Sequence, residues 1–193
     1  GLSLATPQAV RVLDALGWPW VLVETVGVGQ VEVDIAGAAD TTIVVVNPGW
    51  GDAVQANKAG LMEVADIFVI NKSDRKGADD TRRDIQQMLE LSSLGDWEPP
   101  IVMTVATDQQ GVDALWEAVN EHRSHLQASG ELASRRSVRI QEELLEIVQR
   151  SLEHRVATLM EGPNAAKLRD ELAEGKIDPY MAASRLIEMG EGN

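Results

Sequence analysis

Four short apolar runs recur along the chain, and each ends in a glycine-rich or polar box. They are Trp20–Glu24, Thr41–Asn47, Ala65–Ile70 and Pro100–Val105. Near-continuous apolar runs of this length, rich in β-branched residues, suit strands buried on both faces. The stretches between them carry helix signals rather than the two-residue turns of antiparallel hairpins. Strand and helix in this alternation predict a parallel, doubly wound α/β sheet. Ligands in such sheets sit beyond the carboxyl ends of the strands. The polar boxes all fall at those ends.

Helices are expected around the strands. Thr6-Pro7 reads as an N-cap followed by proline at the first helical position, with Gly17 as the stop. Further helices are predicted from about Ala53 to Val64, Ala78 to Leu91 and Gly111 to Leu126. The character changes near Gln127-Ala128-Ser129-Gly130. Beyond it Leu144, Val148, Leu152, Val156 and Leu159 recur at helical spacing, Gly162-Pro163 breaks the helix, and Asp178-Pro179 starts a last one. Two parts follow: an α/β part over 1–129 and an all-α tail over 130–193. The tail cannot bury its apolar stripe alone, so it needs the first part or a second copy to pack against.

Charge and composition narrow the partners. A net charge of −14 argues against sequence-independent binding to nucleic acid or to an anionic membrane, both of which need a basic face. No apolar stretch approaches the ~20 residues of a membrane span. The chain has no cysteine, which removes disulfides and thiolate metal sites and fits a reducing cytoplasmic setting. His122, His125 and His154 share no ligand spacing and read as structural or solvated.

Asn71-Lys72-Ser73-Asp74 closes the third strand. A carboxylate at the end of such a box can accept from guanine N1–H and the 2-amino group together. Adenine offers no matching donor pair, and a site built for those bonds rejects a base that leaves them unmade. Glu24-Thr25-Val26-Gly27 closes the first strand, where a nucleotide hydrolase holds an acid near Mg²⁺ and a glycine whose N–H meets the γ-phosphate. A strand-end acid before a plain loop is the other reading. Val105-Ala106-Thr107 closes the fourth strand, where a small residue can donate its backbone N–H to guanine O6; a plain strand end is the other reading. Pro48-Gly49-Trp50-Gly51-Asp52 places a tryptophan between glycines, either as a hydrophobic plug or as a contact on a switch loop.

Taken together, Glu24-Thr25-Val26-Gly27-Val28-Gly29-Gln30, Pro48-Gly49-Trp50-Gly51-Asp52, Asn71-Lys72-Ser73-Asp74 and the helical tail resemble the MeaB/ArgK family. These are the GTPases associated with methylmalonyl-CoA mutase, also known as LAO/AO transport-system ATPases or kinases. The resemblance implies a P-loop NTPase fold, GTP/GDP and Mg²⁺ as cofactors, and a homodimer through the C-terminal helices. It implies a cytoplasmic chaperone that gates cofactor loading of the cobalamin-dependent mutase and protects it from inactivation. By match, Glu24 would serve Mg²⁺ through water, Gly27 would sense the γ-phosphate, and the loop through Gln30 would be a switch in the catalytic set. Asn71, Lys72 and Asp74 would bind guanine, with Val105 and Ala106 completing the pocket. Gly49, Trp50, Gly51, Asp52 and Lys58 would belong to a further switch that faces the mutase.

One departure from the family pattern is large. No G-x-x-x-x-G-K-[ST] occurs in these residues, so the phosphate cradle, its lysine and its Mg²⁺-binding hydroxyl are missing from them. The resemblance therefore implies the C-terminal three-fifths or so of a longer protein, with an incomplete sheet and no GTP turnover by these residues alone. Two other readings stand beside it. One is a non-enzymatic dimerisation module; the other is a metallochaperone GTPase of the nickel-insertion type, which the absent cysteines disfavour. The transport-kinase label implies a phosphoacceptor for which the sequence offers no dedicated residue.

Overall fold

The computed structural model of the chain describes residues 5–25, 38–49, 64–91 and 95–191. They form two compact units, Gly1–Arg139 and Ile140–Asn193.

The first unit is built on a parallel sheet of three strands in the order β1-β2-β3: β1 (Ile43–Val46), β2 (Ile67–Asn71) and β3 (Ile101–Thr104). Ile43 stands opposite Ile67, and Phe68 opposite Ile101. Each strand falls inside a β-branched run of the sequence. The central strand is the most apolar, and Ile67, Phe68, Val69 and Ile70 are all buried. Alternation along β2 sends these side chains to opposite faces. Phe68 and Ile70 meet Ala78, Ile85, Met88 and Leu89 of α2 (Ala78–Glu90). Ile67 and Val69 meet Ala118 and Val119 of α3 (Val112–Ser129). Each of the larger side chains among these, from valine to phenylalanine, stabilises the fold by about 1.5–3 kcal/mol through burial. The result is a three-layer α/β arrangement.

Crossovers after β1 and β2 carry the chain back to a parallel neighbour. Helix α1 (Thr6–Ala15) precedes them and stops at Gly17, which takes φ +80°. Its N-cap is Ala5, one residue earlier than Thr6, and no side chain caps it. The helix expected from Ala53 lies outside the described residues apart from Val64.

Trp20–Glu24 differs from expectation. It is irregular, not a strand, and no described strand pairs with it. An extended run becomes a strand only when a neighbouring ladder takes its N–H and C=O groups. Trp20 still packs toward Ile67 and Val69, and its ring meets Trp116 edge-on at 4.6 Å. Leu22 is exposed, as is Val45 on β1.

The second unit continues α4 (Glu131–Glu161), followed by α5 (Pro163–Ala173) and α6 (Pro179–Glu191). Pro163 opens α5 after Gly162, and Asp178 caps α6 by accepting from the Met181 N–H at 2.8 Å. The end of α4 with α5 and α6 forms an open apolar pocket of about 290 Å³, lined by Leu159, Leu168, Leu172 and Leu186 among others. Leu144, Val148, Leu152 and Val156 along α4 remain exposed.

Candidate nucleotide site

The carboxyl ends of β2 and β3 lie side by side, and the candidate site is assembled there. Asn71 is the last residue of β2, in register with Thr104, the last of β3. The ladder runs one step further, with Ser73 N–H donating to Thr104 O at 3.0 Å. The Asn71 side chain is fixed by its oxygen. Oδ1 accepts from the Thr104 hydroxyl at 3.2 Å and from the Ala106 N–H at 3.1 Å. Two donors on one oxygen settle the orientation of the amide, and its NH₂ group is turned away from both.

Lys72 follows with φ +57°, an uncommon backbone state for a residue with a side chain. It lets Arg75 N–H close a turn onto Lys72 O at 3.0 Å. Lys72 and Asp74 are both exposed in this turn, which leads through Gly77 at φ +95° into α2. A positive φ outside glycine at a strand end, held by the surrounding bonds, is a frequent mark of a binding loop.

Across from it, Val105 pairs with Gln110: Val105 N–H donates to Gln110 O at 3.0 Å, and Gln110 N–H to Val105 O at 3.2 Å. The intervening 3₁₀ turn, Ala106–Asp108, is thereby a closed loop. Val105 is buried and its N–H is engaged, so it shapes the loop rather than offering a donor to a base. Ala106 is exposed, and its N–H is the one that holds Asn71 Oδ1. Gly111 seals the loop from behind with φ +73°; a Cβ there would stand 2.1 Å from the Met103 carbonyl oxygen.

Thr104 escaped the sequence reading, although a hydroxyl two residues before Ala106 was the available signal. Its side chain is buried and holds Asn71.

The remaining expected residues are not gathered here. Glu24 is exposed in the irregular segment. Gly27, Gln30, Trp50, Gly51, Asp52 and Lys58 lie outside the described residues. Gly49 has φ +88°, and its N–H donates to Thr81 Oγ1 of α2 at 3.3 Å, so the loop leaving β1 starts beside the helix that the Asn71–Asp74 turn feeds. Among the described residues no cluster of three His, Cys, Asp or Glu could hold a metal ion.

The amino end of the sheet carries a separate polar network. Asp66, just before β2, accepts from Thr42 N–H at 2.7 Å and from Arg135 of α4 at 3.0 Å. His122 is wholly buried, with Nδ1 2.9 Å from the Thr41 hydroxyl and Nε2 3.3 Å from Asp66 Oδ1. The second contact is close enough for charge attraction but is not aligned as a hydrogen bond. Burial raises the Asp66 pKa, but His122, the Thr42 N–H and Arg135 outweigh it and hold the carboxyl below its ordinary value. The histidine is structural and lies at the opposite end of β2 from Asn71.

Comparison with known proteins gives the family. The family described as methylmalonyl Co-A mutase-associated GTPase MeaB matches residues 1–161. The chain belongs to the MeaB family. A Pyrococcus abyssi protein whose name marks it as a candidate GTPase is 46% identical over 193 residues, covering 97% of this chain and 59% of its own length. The GTPase ArgK of Escherichia coli is 37% identical over 139 residues, covering 68% of this chain and 41% of its own length. A solved structure, described as that of an LAO/AO transport system kinase, superposes with a TM-score of 0.62 at 27% identity, covering 95% of this chain and 61% of the other. The chain thus spans about three-fifths of the length of the Pyrococcus relative. MeaB membership makes this a chain of a GTPase family that handles guanine nucleotides, and the paired ends of β2 and β3 are where its described residues could hold the base.

Proposed function

We propose that Asn71, Lys72, Asp74 and Ala106 form the base-reading wall of a GTP site. The observation that carries this reading is the double anchoring of Asn71 Oδ1 by Thr104 and Ala106, three residues before an exposed carboxylate. Asp74 takes guanine N1–H and the 2-amino group, exposed Ala106 completes the pocket beside the base, and the Lys72 stem covers the base face. Val105 supports them from below. When bound, the nucleotide supplies a γ-phosphoryl group for hydrolysis. The Mg²⁺ and phosphate side is assigned by family match alone, to Glu24, Gly27 and Gln30, and no hydrolytic step is drawn through it.

The whole protein, on this reading, is a cytoplasmic GTP-hydrolysing chaperone. It gates cofactor loading of a cobalamin-dependent methylmalonyl-CoA mutase and protects that enzyme, with the loop from Gly49 through Lys58 as the switch toward it. The family's name, which associates it with methylmalonyl-CoA mutase, supports this. Homodimerisation through the tail, residues 130–193, is part of the same proposal. Exposed Leu144, Val148, Leu152 and Val156 and the open apolar pocket near Leu159 favour it. A second reading, a module that acts by association without hydrolysis, rests on that same apolar tail.

The base assignment is tested by Asp74→Asn in a protein that joins these residues to a G-x-x-x-x-G-K-[ST] loop. Guanine nucleotide affinity should fall by about a hundredfold or more, and xanthine nucleotides should gain. Retained guanine preference refutes the assignment. Light scattering of the 193-residue chain tests the tail: a dimer is expected, and a monomer at tens of micromolar removes the dimer from the account.

A further inference from the structure

The stem of α4, within the first unit, meets the amino end of the sheet through charge rather than apolar packing. No residue of this helix is buried anywhere along its length. Leu132 in the first turn is only half-buried, and Val138 is exposed. In their place, three arginines at positions 135, 136 and 139 meet two carboxylates at the amino end of the sheet. Arg136 grips Asp40 with both of its ends, Nε to Oδ1 at 3.2 Å and a second nitrogen to Oδ2. Arg139 reaches Asp40 Oδ1 at 3.2 Å and the Ala39 carbonyl at 2.7 Å. Arg135 bonds Asp66 at 3.0 Å and, along its own helix, Glu131 at 2.9 Å. The Asp40 pairs are partly exposed, with side-chain exposures of 57% for Arg136, 27% for Arg139 and 33% for Asp40. Such pairs are screened by salt, whereas apolar contacts are not.

A glycine precedes the stem. Gly130 stands between α3 and α4 with φ +78°, and a Cβ there would meet nothing within 4 Å. The side of this corner where a side chain would stand is open space. At the other end of the stem, the first compact unit closes at Arg139, the last arginine of the set.

We infer that Asp40 and Asp66 with Arg135, Arg136 and Arg139 form an ionic clasp that opens and closes on the Gly130 hinge. The helix stem over 131–139 can leave the sheet without unfolding it. The conformational device is a detachable stem, controlled by ionic strength or by any charged surface that competes for the arginines. It does not depend on the nucleotide assignment.

The absence of cysteine makes the test direct. Spin labels are placed at Glu90→Cys on α2 and Val138→Cys on the stem, both exposed positions, and their separation is measured by double electron–electron resonance. At about 0.05 M salt a single narrow distance distribution is expected. At 1 M salt, where the screening length falls to about 3 Å, a second and broader population should appear. Asp40→Asn should raise that population about tenfold at low salt, since it removes two ion pairs at once. Exchanging the charges at all three positions, Asp40→Arg with Arg136→Asp and Arg139→Asp, should restore the narrow distribution. Far-ultraviolet circular dichroism, unchanged across the series, is part of the expected result. A distribution that stays narrow at every salt and in Asp40→Asn overturns the clasp. Broadening that tracks loss of helix and sheet signal also overturns it, because the stem then melts with the unit. The wild-type salt series decides the matter even where a substitution impairs folding.

Discussion

Replacing Gly111 by alanine should damage the first unit more than any other glycine-to-alanine change in the described residues of that unit. Two costs combine. The backbone sits at φ +73°, where a side chain costs about 1–2 kcal/mol. The new Cβ would also lie 2.1 Å from the Met103 carbonyl oxygen, well inside the 3.0 Å that real Cβ contacts respect. That oxygen belongs to β3, so it cannot swing away as a side-chain end would. Relieving the clash means moving the strand or the 105–110 loop, at about 1–3 kcal/mol by analogy with an overpacked core. The sum is about 2–5 kcal/mol, a large share of the ~5–15 kcal/mol that holds an ordinary domain together. Two controls separate the terms. Gly130 shares the positive φ but has open space, so Gly130→Ala should cost only about 1–2 kcal/mol. Gly95 has neither problem, and Gly95→Ala should lie within about 0.5 kcal/mol of the parent or slightly above it. Urea unfolding followed by tryptophan fluorescence gives the three values on one scale. Gly111→Ala costing no more than Gly130→Ala would refute the close approach of this loop to β3.

Two further outcomes follow from the polar groups at either end of β2. Asp66 is held below its ordinary pKa, so its contribution to stability is complete above the unfolded value of about 3.9 and disappears as pH falls through the folded value. Urea midpoints of the parent chain should drop through this acid window, and Asp66→Asn should flatten the drop while costing about 1–3 kcal/mol at neutral pH; parallel pH profiles would contradict the network. At the other end, Thr104→Val keeps shape but removes one donor to Asn71, and should cost about 0.5–1.5 kcal/mol in the same assay while broadening the Asn71 side-chain amide resonances; unchanged resonances would place Asn71 under the control of Ala106 alone.

The sequence made the centre of the fold readable because periodicity and burial agree there. Ile67 to Ile70 is apolar without a break, and the structure buries every one of these residues between two helices. Asp178-Pro179 carried its own local chemistry, and Asp178 caps α6. Trp20–Glu24 shows where local pattern is insufficient. Its composition suits a strand, but strand formation is a property of a pair, and no described neighbour supplies the ladder. Thr6 failed as a cap for a smaller reason, since helix ends shift by a residue with little cost. The Asp66–His122–Arg135 network was out of reach because its members lie far apart in the chain and meet only through the topology. Of the candidate site, the Asn71–Asp74 box was legible as a motif. The bond from buried Thr104 that orients it was not, because it depends on the register of β2 against β3.

Binding of bare nucleosides to the 193-residue chain tests the base-reading wall most directly, since it asks nothing of a phosphate cradle. Amide spectra recorded with guanosine, adenosine and xanthosine at millimolar concentration would report on the Ala106 N–H and the Asn71 side-chain amide. Guanosine should shift both, adenosine neither, and Asp74→Asn should exchange the guanosine response for a xanthosine one. GDP should bind the chain little better than guanosine. Equal shifts with adenosine, or a guanosine response that survives Asp74→Asn, would contradict the account.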